Sequence, residues 1–234
     1  MLHADQGWGR VPEMNVFDIL ITHKEQFLLG LLTTLKLCLF IWPVGIVVGT
    51  ALGIAGARWK IAVGLPSKAS SFILSGIPIL VFLFWLHYPL QSILQVVIPP
   101  FYTAALALAI VNVFLVADLI RGVLNDFPMQ YIMAARVCGL PQRQIVTRIQ
   151  LPIIFRQVIP NLLFLQVGML QATLFASLIS VDEIFRIAQR INSEVYRPVE
   201  IYTALAVLFL IVCLPMHGIA YWLKARFTRN LSEQ

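Results

Sequence analysis

The chain has 234 residues, of which 59% are hydrophobic and only 12% are charged; its net charge is +6 and its mean hydropathy is +0.85. This composition excludes an ordinary soluble domain and predicts an integral membrane protein. Because no alternating strand pattern of the barrel type is present, the predicted fold class is all-α. In a membrane protein, an excess of Lys and Arg indicates which loops are cytoplasmic rather than a nucleic-acid partner.

Five apolar segments are predicted to cross the membrane as helices. They are residues 28–57, 70–90, 102–124, 153–179 and 201–223. The first fifteen residues lack a basic start followed by a short apolar core, so we expect no cleaved signal peptide. The corresponding division is an outer or interfacial segment (1–27), a transmembrane domain (28–226) and a cytoplasmic tail (227–234).

Short patterns add detail to these segments. Before the first span, apolar residues at helical spacing are typical of a short interfacial helix, and a frayed tail is the open alternative; they are Val16, Phe17, Leu20 and Ile21. Three glycines at intervals of four (Gly45, Gly49, Gly53) predict close packing against a neighbouring helix. Four prolines predict kinks: Pro43, Pro78, Pro160 and Pro215.

Few ionisable residues lie at membrane depth, and each has a structural reading. Lys36 can extend toward the interface, and Asp118 and Arg121, three residues apart on one helical face, can pair. His87 and His217 lie near span ends. The three cysteines (Cys38, Cys138 and Cys213) have no metal or disulfide spacing, so we expect no cofactor and no metal.

The Lys and Arg residues of the loops divide unequally between the two sides. One side holds Arg58, Lys60, Lys68, Arg121, Arg136, Arg143, Arg148, Arg156, Lys224, Arg226 and Arg229. The other side holds Arg10, Lys24, Arg186, Arg190 and Arg197. The first side is predicted to be cytoplasmic, which places the N-terminus outside and the C-terminus inside.

A basic segment interrupts the apolar chain between Met133 and Pro152. It begins Met133-Ala134-Ala135-Arg136-Val137-Cys138-Gly139 and ends Ile149-Gln150-Leu151-Pro152. The central Gly-Leu-Pro break predicts two short helices joined by a tight turn, with Gly139 in a left-handed conformation and Pro141 at a first helical position. On the predicted orientation this segment faces the cytoplasm, where a soluble partner can dock.

The spacing of this segment resembles the EAA loop of ABC importer permeases, the membrane subunits of binding-protein-dependent uptake systems. Further matches resemble the polar amino acid branch of this family, which comprises permeases similar to those for histidine, glutamine, arginine and opines. They are Gly30 with residues 31–37, Gly76-Ile77-Pro78-Ile79-Leu80, Asp118-Leu119-Ile120-Arg121-Gly122 and Phe127-Pro128-Met129-Gln130. The resemblance implies a MetI-like transmembrane fold in a bacterial inner membrane.

The resemblance also implies that the two short helices sit in a groove of an ATPase subunit and act as levers. We expect apolar faces from Ile132, Ala135, Ile145, Val146 and Ile149, with Arg143 and Arg148 available to acidic residues of the ATPase. The remaining expected coupling residues are Met133, Ala134, Gly139, Leu151 and Pro152. An ordinary amphipathic hairpin is the alternative.

Three departures from the family pattern concern the loop and the translocation path. Met133 stands at the usual acidic position of the EAA loop, Ser75 replaces an Arg, and Leu170-Gln171-Ala172-Thr173-Leu174 replaces a more polar segment. The two losses along the path, at Ser75 and in residues 170–174, favour an asymmetric permease pair or an unusual substrate. The residues still able to meet substrate are Ser75, Pro78, Asn112, Gln171, Thr173, Ser177 and Ser180, although each polar group among them can equally satisfy neighbouring helices.

Residues 181–200 are predicted to form the largest outer loop. Its mixed charges (Asp182, Glu183, Arg186, Arg190, Glu194, Arg197 and Glu200) suit a contact with a periplasmic binding protein, and a solvated loop is the alternative.

The sequence therefore predicts a permease subunit of an ATP-driven importer for a polar amino acid or related solute. Because the chain has no phosphate loop, paired-His zinc motif or nucleophile elbow, it is predicted not to be an enzyme, with ATP hydrolysis in a separate subunit. The expected partners are ABC ATPase subunits, a second permease, a solute-binding protein and membrane lipid. A stand-alone carrier or channel, or a non-transporting scaffold, is the competing class.

Overall fold

The computed structural model describes residues 15–232, and every regular element in that range is helical. The α-helices are α1 (Val16–Thr22), α2 (Lys24–Arg58), α3 (Leu65–Gly76), α4 (Ile79–His87), α5 (Pro89–Leu94), α6 (Pro100–Asn125), α7 (Met129–Val137), α8 (Gln142–Gln144), α9 (Leu151–Ala172), α10 (Ile184–Val195) and α11 (Pro198–Ser232). Two π-helical segments, Lys60–Gly64 and Ile145–Gln150, lead into α3 and α9, and a 3₁₀ segment, Thr173–Ile179, follows α9. Arg10, most of segment 1–27 and the end of the tail lie outside the described residues.

Within residues 15–232, four stretches are long and apolar enough to cross a membrane: Lys24–Arg58, Pro100–Asn125, Gln142–Ile179 and Pro198–Phe227. The predicted continuous helix over 70–90 is wrong, because the chain bends by 98° between α3 and α4. Ile77 is extended (φ −102°, ψ 122°), as the residue before a proline tends to be, and α4 begins directly after Pro78. Pro78 thus marks a break, whereas Pro43, Pro160 and Pro215 lie inside continuous helices.

The centre of the fold is the contact between α2 and α6, and the predicted glycine stripe forms it. A Cβ built on Gly49 would lie 2.7 Å from the Val113 carbonyl oxygen, and one on Gly53 would lie 2.7 Å from the Ile120 Cβ. The two backbones therefore meet more closely than larger residues allow. In a lipid environment such close packing of small residues is a main source of helix association.

The register of these contacts fixes the directions of the helices. Moving along α2 from Gly45 to Gly53, the facing positions on α6 advance from Asn112 to Ile120, so the two helices run parallel. Residues 59–99 must therefore carry the chain back across the bilayer, which makes the bent pair α3–α4 with α5 one crossing. By the same reasoning α9 runs antiparallel to α6, since Asn112 meets Gln166 whereas Ile120 packs near Val158.

The last long helix, α11, runs antiparallel to α9. Cys213 packs near Val167 and Leu170, whereas the Phe164 ring contacts the rings of His217 and Tyr221 farther along α11. The register thus supports five crossings. The ends of α2, α6 and α11 share one side, and the α7–α8 segment, which links α6 to α9, lies on that side.

A second packing centre joins the two halves of the chain at the opposite side. The predicted outer loop 181–200 is not a loop: most of it is α10, whose buried face is formed by Ile184, Ile187, Ala188 and Ile191. These side chains pack with Ile19 of α1, Phe27 of α2 and Ile201 of α11. Val16–Thr22 therefore form a helix, as the apolar spacing predicts, although Phe17 and Ile21 on it are exposed.

We predict that Gly49→Ala destabilises the chain by about 1–3 kcal/mol, because the new Cβ meets a backbone oxygen that no side-chain rotation can remove. The measurement is thermal unfolding in mild detergent. Gly218→Ala in α11 is the matched control, since nothing lies within 4 Å of its Cβ position, and it should leave stability unchanged or slightly raised. Equal effects of the two substitutions would contradict the packing account.

Candidate functional site

Residues 127–154 form a hairpin, which we call the α7–α8 hairpin. Helix α7 ends as predicted: Gly139 has φ +72°, its N–H donates to the Arg136 carbonyl at 2.9 Å, and the Leu140 N–H donates to the Ala135 carbonyl at 3.1 Å. This arrangement satisfies carbonyls that the helix end leaves free. Pro141 precedes α8 as its N-cap, with extended backbone (ψ 149°), and so lies one residue earlier than predicted.

The second arm of the hairpin is not a separate short helix. Helix α8 is only one turn long and continues through the π-helical segment Ile145–Gln150 into α9, so residues 142–179 form one uninterrupted helical stretch. Pro152 lies at the second position of α9, directly after the π-helical segment, so the residue that lacks a backbone N–H lies where the helix changes type. The hairpin is therefore joined to the membrane domain by a continuous helical stretch.

The apolar residues of the hairpin face one another. Phe127, Ile132, Ala135 and Ile145 form a buried cluster, with Ile145 only 1% exposed, and Ile149 is half-buried beside it. The expectation that Ile132, Ala135 and Ile145 present an apolar face to an ATPase is wrong, because their side chains are buried between the two arms of the hairpin. Their contribution to docking is to fix the shape of the hairpin.

A different set of residues forms the surface of the hairpin. Val137 is 88% exposed, and Met133 and Met129 are also largely exposed, around an exposed Ala134. Leu151 is partly exposed farther along. The sequence holds no Asp or Glu between residues 127 and 181, so the exposed Arg136, Arg143 and Arg148 make this surface basic. Exposed apolar side chains with arginines around them suit a protein partner whose surface is acidic.

The Asp118–Arg121 pair forms as predicted and ties α6 to α3. Arg121, 4% exposed, donates to the Asp118 carboxylate through Nη2 and to the Ser67 hydroxyl through Nη1 at 3.0 Å, and the Ser71 hydroxyl also donates to Asp118. An open cleft of about 670 Å³ borders this network and is also lined by Ser75. Sequence reasoning missed Ser67 and Ser71, whose spacing of four on one helical face was the available signal.

Three of the predicted path residues are structural. Asn112 is fully buried; its Nδ2 donates to the Ile41 carbonyl at 3.0 Å and to Gln166 Oε1 at 3.1 Å. The hydroxyls of Thr173 and Ser177 are buried and donate to carbonyls one turn back, at 2.6 and 2.7 Å. The expectation that these side chains meet substrate is corrected, because their polar atoms already have partners inside the bundle.

The other four predicted path residues are exposed and lie at breaks or helix ends. Ser75 and Pro78 flank the bend between α3 and α4, Gln171 lies near the end of α9, and Ser180 ends the 3₁₀ segment with φ +72°. Non-helical backbone at membrane depth is tolerated only where it is buried in protein or lines a water-filled cavity. Of these positions, Pro78 and Ser180 lie where the backbone leaves the helical conformation.

Helix α10 begins at a fully buried carboxylate. Glu183 is its N-cap and accepts hydrogen bonds from the backbone N–H groups of Phe185 and Arg186, both at 2.9 Å. Burial raises the pKa of Glu183 to about 7, although these hydrogen bonds and the Arg186 charge act in the opposite direction. The expectation that Glu183 belongs to an exposed charged surface is wrong, whereas Asp182 does lie there, paired with Arg186 and Arg190.

The remaining ionisable residues show no reactive arrangement in the part of the chain that the structure describes. Lys36 is exposed on α2, His87 lies near the Thr103 and Gln91 side chains, and His217 contacts the Phe164 ring. Among residues 15–232, no three His, Cys, Asp or Glu side chains come together to hold a metal ion. The site offers binding surfaces and a cleft rather than a reaction centre.

Comparison with known proteins places this geometry among transport proteins. Residues 45–229 match the family model described as the inner membrane component of binding-protein-dependent transport systems. The octopine transport system permease protein OccM of Rhizobium meliloti is 32% identical over 78% of each chain. The histidine/lysine/arginine/ornithine transport system permease protein HisQ of Escherichia coli is 23% identical over 85% of this chain and 92% of its own.

Solved structures share the fold. An amino acid ABC transporter with histidines superposes with a TM-score of 0.79 at 24% identity, covering 88% of this chain and 96% of its own. The inward-facing MetNI methionine ABC transporter superposes with a TM-score of 0.70 at 17% identity, covering 88% of this chain and 98% of its own. The MetI-like transmembrane fold is therefore present.

We predict that Asp118→Asn lowers stability by about 2 kcal/mol, because Arg121 then keeps a buried positive charge without its carboxylate. Thermal unfolding in detergent measures the effect. Asp182→Asn is the control: it also removes a carboxylate from ion pairs with arginine, but those pairs are largely exposed and should contribute less than 1 kcal/mol. A larger loss from the control would contradict this assignment.

The raised pKa of Glu183 predicts a dependence of stability on pH. Between pH 4.5 and about 7 the folded chain holds a proton on Glu183 that the unfolded chain releases, so stability falls as pH rises through this window, by about 3 kcal/mol. Glu183→Gln should remove this part of the pH dependence, and Glu194→Gln on the exposed face of α10 should not. If the free energies of unfolding of the wild type and of Glu183→Gln change with pH in the same way from pH 4.5 to 8, this role of Glu183 is excluded.

Proposed function

Because this chain belongs to the family of inner membrane components of binding-protein-dependent transport systems, we propose that it carries a polar amino acid or a related small solute, such as an opine, into bacteria. The chain is a non-catalytic permease subunit of an ABC importer, and ATP is hydrolysed by a separate subunit. The substrate class is supported by relatives named for octopine and for histidine, lysine, arginine and ornithine. Nothing observed favours a stand-alone carrier or channel.

The observation that carries the coupling mechanism is the continuity of the α7–α8 hairpin with α9. We propose that the hairpin is the EAA coupling loop and that an ATPase subunit receives Met133, Ala134, Val137 and the neighbouring arginines in a groove of opposite charge. Ile132, Ala135 and Ile145 keep the arms together, and Gly139 keeps the turn tight. Closure of the ATPase pair then moves Ile149, Leu151 and Pro152 as parts of one rod.

The basic side of the fold is proposed to be cytoplasmic. The ends of α2 and α6 lie on the side of the hairpin and bring Arg58 and Arg121 there, in agreement with the bias of positive residues toward the cytoplasm. The N-terminus is then outside, the C-terminus inside, and the chain is a multi-pass protein of the bacterial cytoplasmic membrane. Residues 28–226 form the transmembrane domain between an outer segment (1–27) and a cytoplasmic tail (227–234).

The translocation path is proposed to form between this chain and a second, identical or homologous permease. Ser75, Pro78, Gln171 and Ser180 are the exposed polar or irregular positions that a path can use, and the cleft beside Asp118 adjoins the first of them. A path shared between two chains accounts for the small number of free polar groups in this one. A polar substrate needs polar partners on its way through the bilayer.

The exposed face of α10 is proposed to meet the solute-binding protein on the outer side. Arg190 and Glu194 lie on this face, and Asp182, which precedes the helix, pairs with Arg190 at 2.7 Å. The buried face of α10 packs near the starts of α2 and α11. A rigid, charged platform of this kind suits a transient contact that is steered by charge and weakened by salt.

Purification of the tagged chain from its native host in mild detergent, with mass spectrometry of its partners, tests the coupling proposal. We predict recovery of an ATPase and a second permease with the wild-type chain. Gly139→Val should reduce the recovered ATPase at least tenfold and retain the second permease, because a β-branched residue at φ +72° strains the turn.

Cys138→Ser is the matched control, since Cys138 is exposed, adjacent to Gly139 and at an ordinary φ of −74°. It should recover the ATPase in the wild-type amount. Recovery of the wild-type chain without any ATPase, or equal recovery with Gly139→Val, would count against the hairpin as the coupling element.

A further inference from the structure

A second cavity lies where α2 and α6 end, and its lining is basic. It has a volume of about 300 Å³ and is bordered by the Lys60, Lys68 and Arg121 side chains together with Asn125. No carboxylate lines it, although the Asp118 carboxylate pairs with Arg121 from the adjoining cleft. Within the described part of the chain, neither lysine has an ion-pair partner. Two lysine charges therefore face the cavity, and Lys68 also borders the adjoining cleft, which Asp118 and Asp126 line.

The floor of the cavity is bare backbone. A Cβ built on Gly64 would lie 2.6 Å from the Gly56 carbonyl oxygen, so the end of α2 and the π-helical segment Lys60–Gly64 touch without any side chain between them. This contact holds the Lys60 segment folded back against α2. The backbone of Gly56 and Gly64 thus forms one part of the cavity lining, and the Lys60, Lys68 and Arg121 side chains border the rest.

Exposed apolar residues neighbour the cavity-lining lysines along the chain, and one of them, Leu65, lines the cavity itself. Trp59 is 59% exposed, Ile61 84% and Leu65 62%, and these residues alternate with Lys60 and precede Lys68 along the same short segment. Tryptophan beside lysine at the end of a membrane-spanning helix is typical of the bilayer interface. Basic pockets between helices at the cytoplasmic interface are suited to lipid headgroups that carry phosphate.

We propose that this cavity binds the phosphate of an anionic phospholipid headgroup, with Lys60 and Lys68 as its cationic ligands and Asn125 as a neutral polar neighbour. The exposed Trp59, Ile61 and Leu65 place the acyl chains of the same lipid against α2 and α3. The bound headgroup joins the end of α2 to the start of α3 and thereby stabilises the segment that leads into the bent crossing.

Native mass spectrometry of the full-length purified chain with added phosphatidylglycerol or phosphatidylcholine tests this proposal. We expect preferential retention of phosphatidylglycerol by the wild type and roughly 30-fold weaker retention after Lys60→Gln with Lys68→Gln, from the loss of two positive charges near a lipid phosphate. The double variant Lys60→Arg with Lys68→Arg keeps both positive charges and should retain phosphatidylglycerol as the wild type does. This result would show that substitution at these two positions leaves the segment folded. Lys24→Gln with Lys36→Gln removes the same charge from exposed positions elsewhere on α2 and should have no effect.

Thermal unfolding with inorganic phosphate in place of lipid separates the two sources of a phosphate group. Protection by phosphatidylglycerol alone supports the lipid site. If inorganic phosphate raises the unfolding temperature as much as phosphatidylglycerol does, and this increase is lost in the Lys60→Gln, Lys68→Gln variant, the cavity binds a soluble phosphate and the lipid proposal is overturned. Retention of phosphatidylglycerol that is no stronger than that of phosphatidylcholine, or that survives in the glutamine pair, overturns the proposal. These readouts are independent of substrate transport.

Discussion

The close approach of α2 and α6 is the constraint on which the rest of the structure depends. Glycines on α2 allow the two backbones to meet. The register of these contacts makes the two helices parallel, so the chain between them must cross the bilayer once more. That return crossing is the bent pair around Pro78. The same geometry brings the ends of α2 and α6 to the side of the α7–α8 hairpin, where the basic residues of the chain collect.

Polar groups in this chain have two distinct uses. Asn112 and Gln166 close a hydrogen-bonded pair inside the bundle, and the Asp118–Arg121 pair with its two serines joins α6 to α3. Both arrangements stabilise helix contacts in a low-dielectric surrounding, where unpaired polar groups are costly. Exposed polar groups at the bend, at helix ends and on the hairpin surface are the ones proposed to meet partners and substrate.

Much of this organisation could be predicted from the sequence, because composition, glycine spacing and the turn at Gly139 each have a local physical cause. The break at Pro78 could not, since an apolar run with one proline fits either a kinked helix or two helices. The direction of Ile132 and Ile145 was also beyond the sequence: an apolar face on a short hairpin serves equally as a surface or as its own core. The burial of Asn112 depends on a partner 54 residues away, which no local pattern reveals.

The most direct test of the central claim is uptake of radiolabelled octopine and arginine by proteoliposomes that contain the purified complex and its binding protein. The account predicts uptake only when ATP and the binding protein are both present, and none by vesicles that contain this chain alone. Uptake by this chain alone, driven by an ion gradient, would contradict the assignment of the chain as a subunit powered through the α7–α8 hairpin.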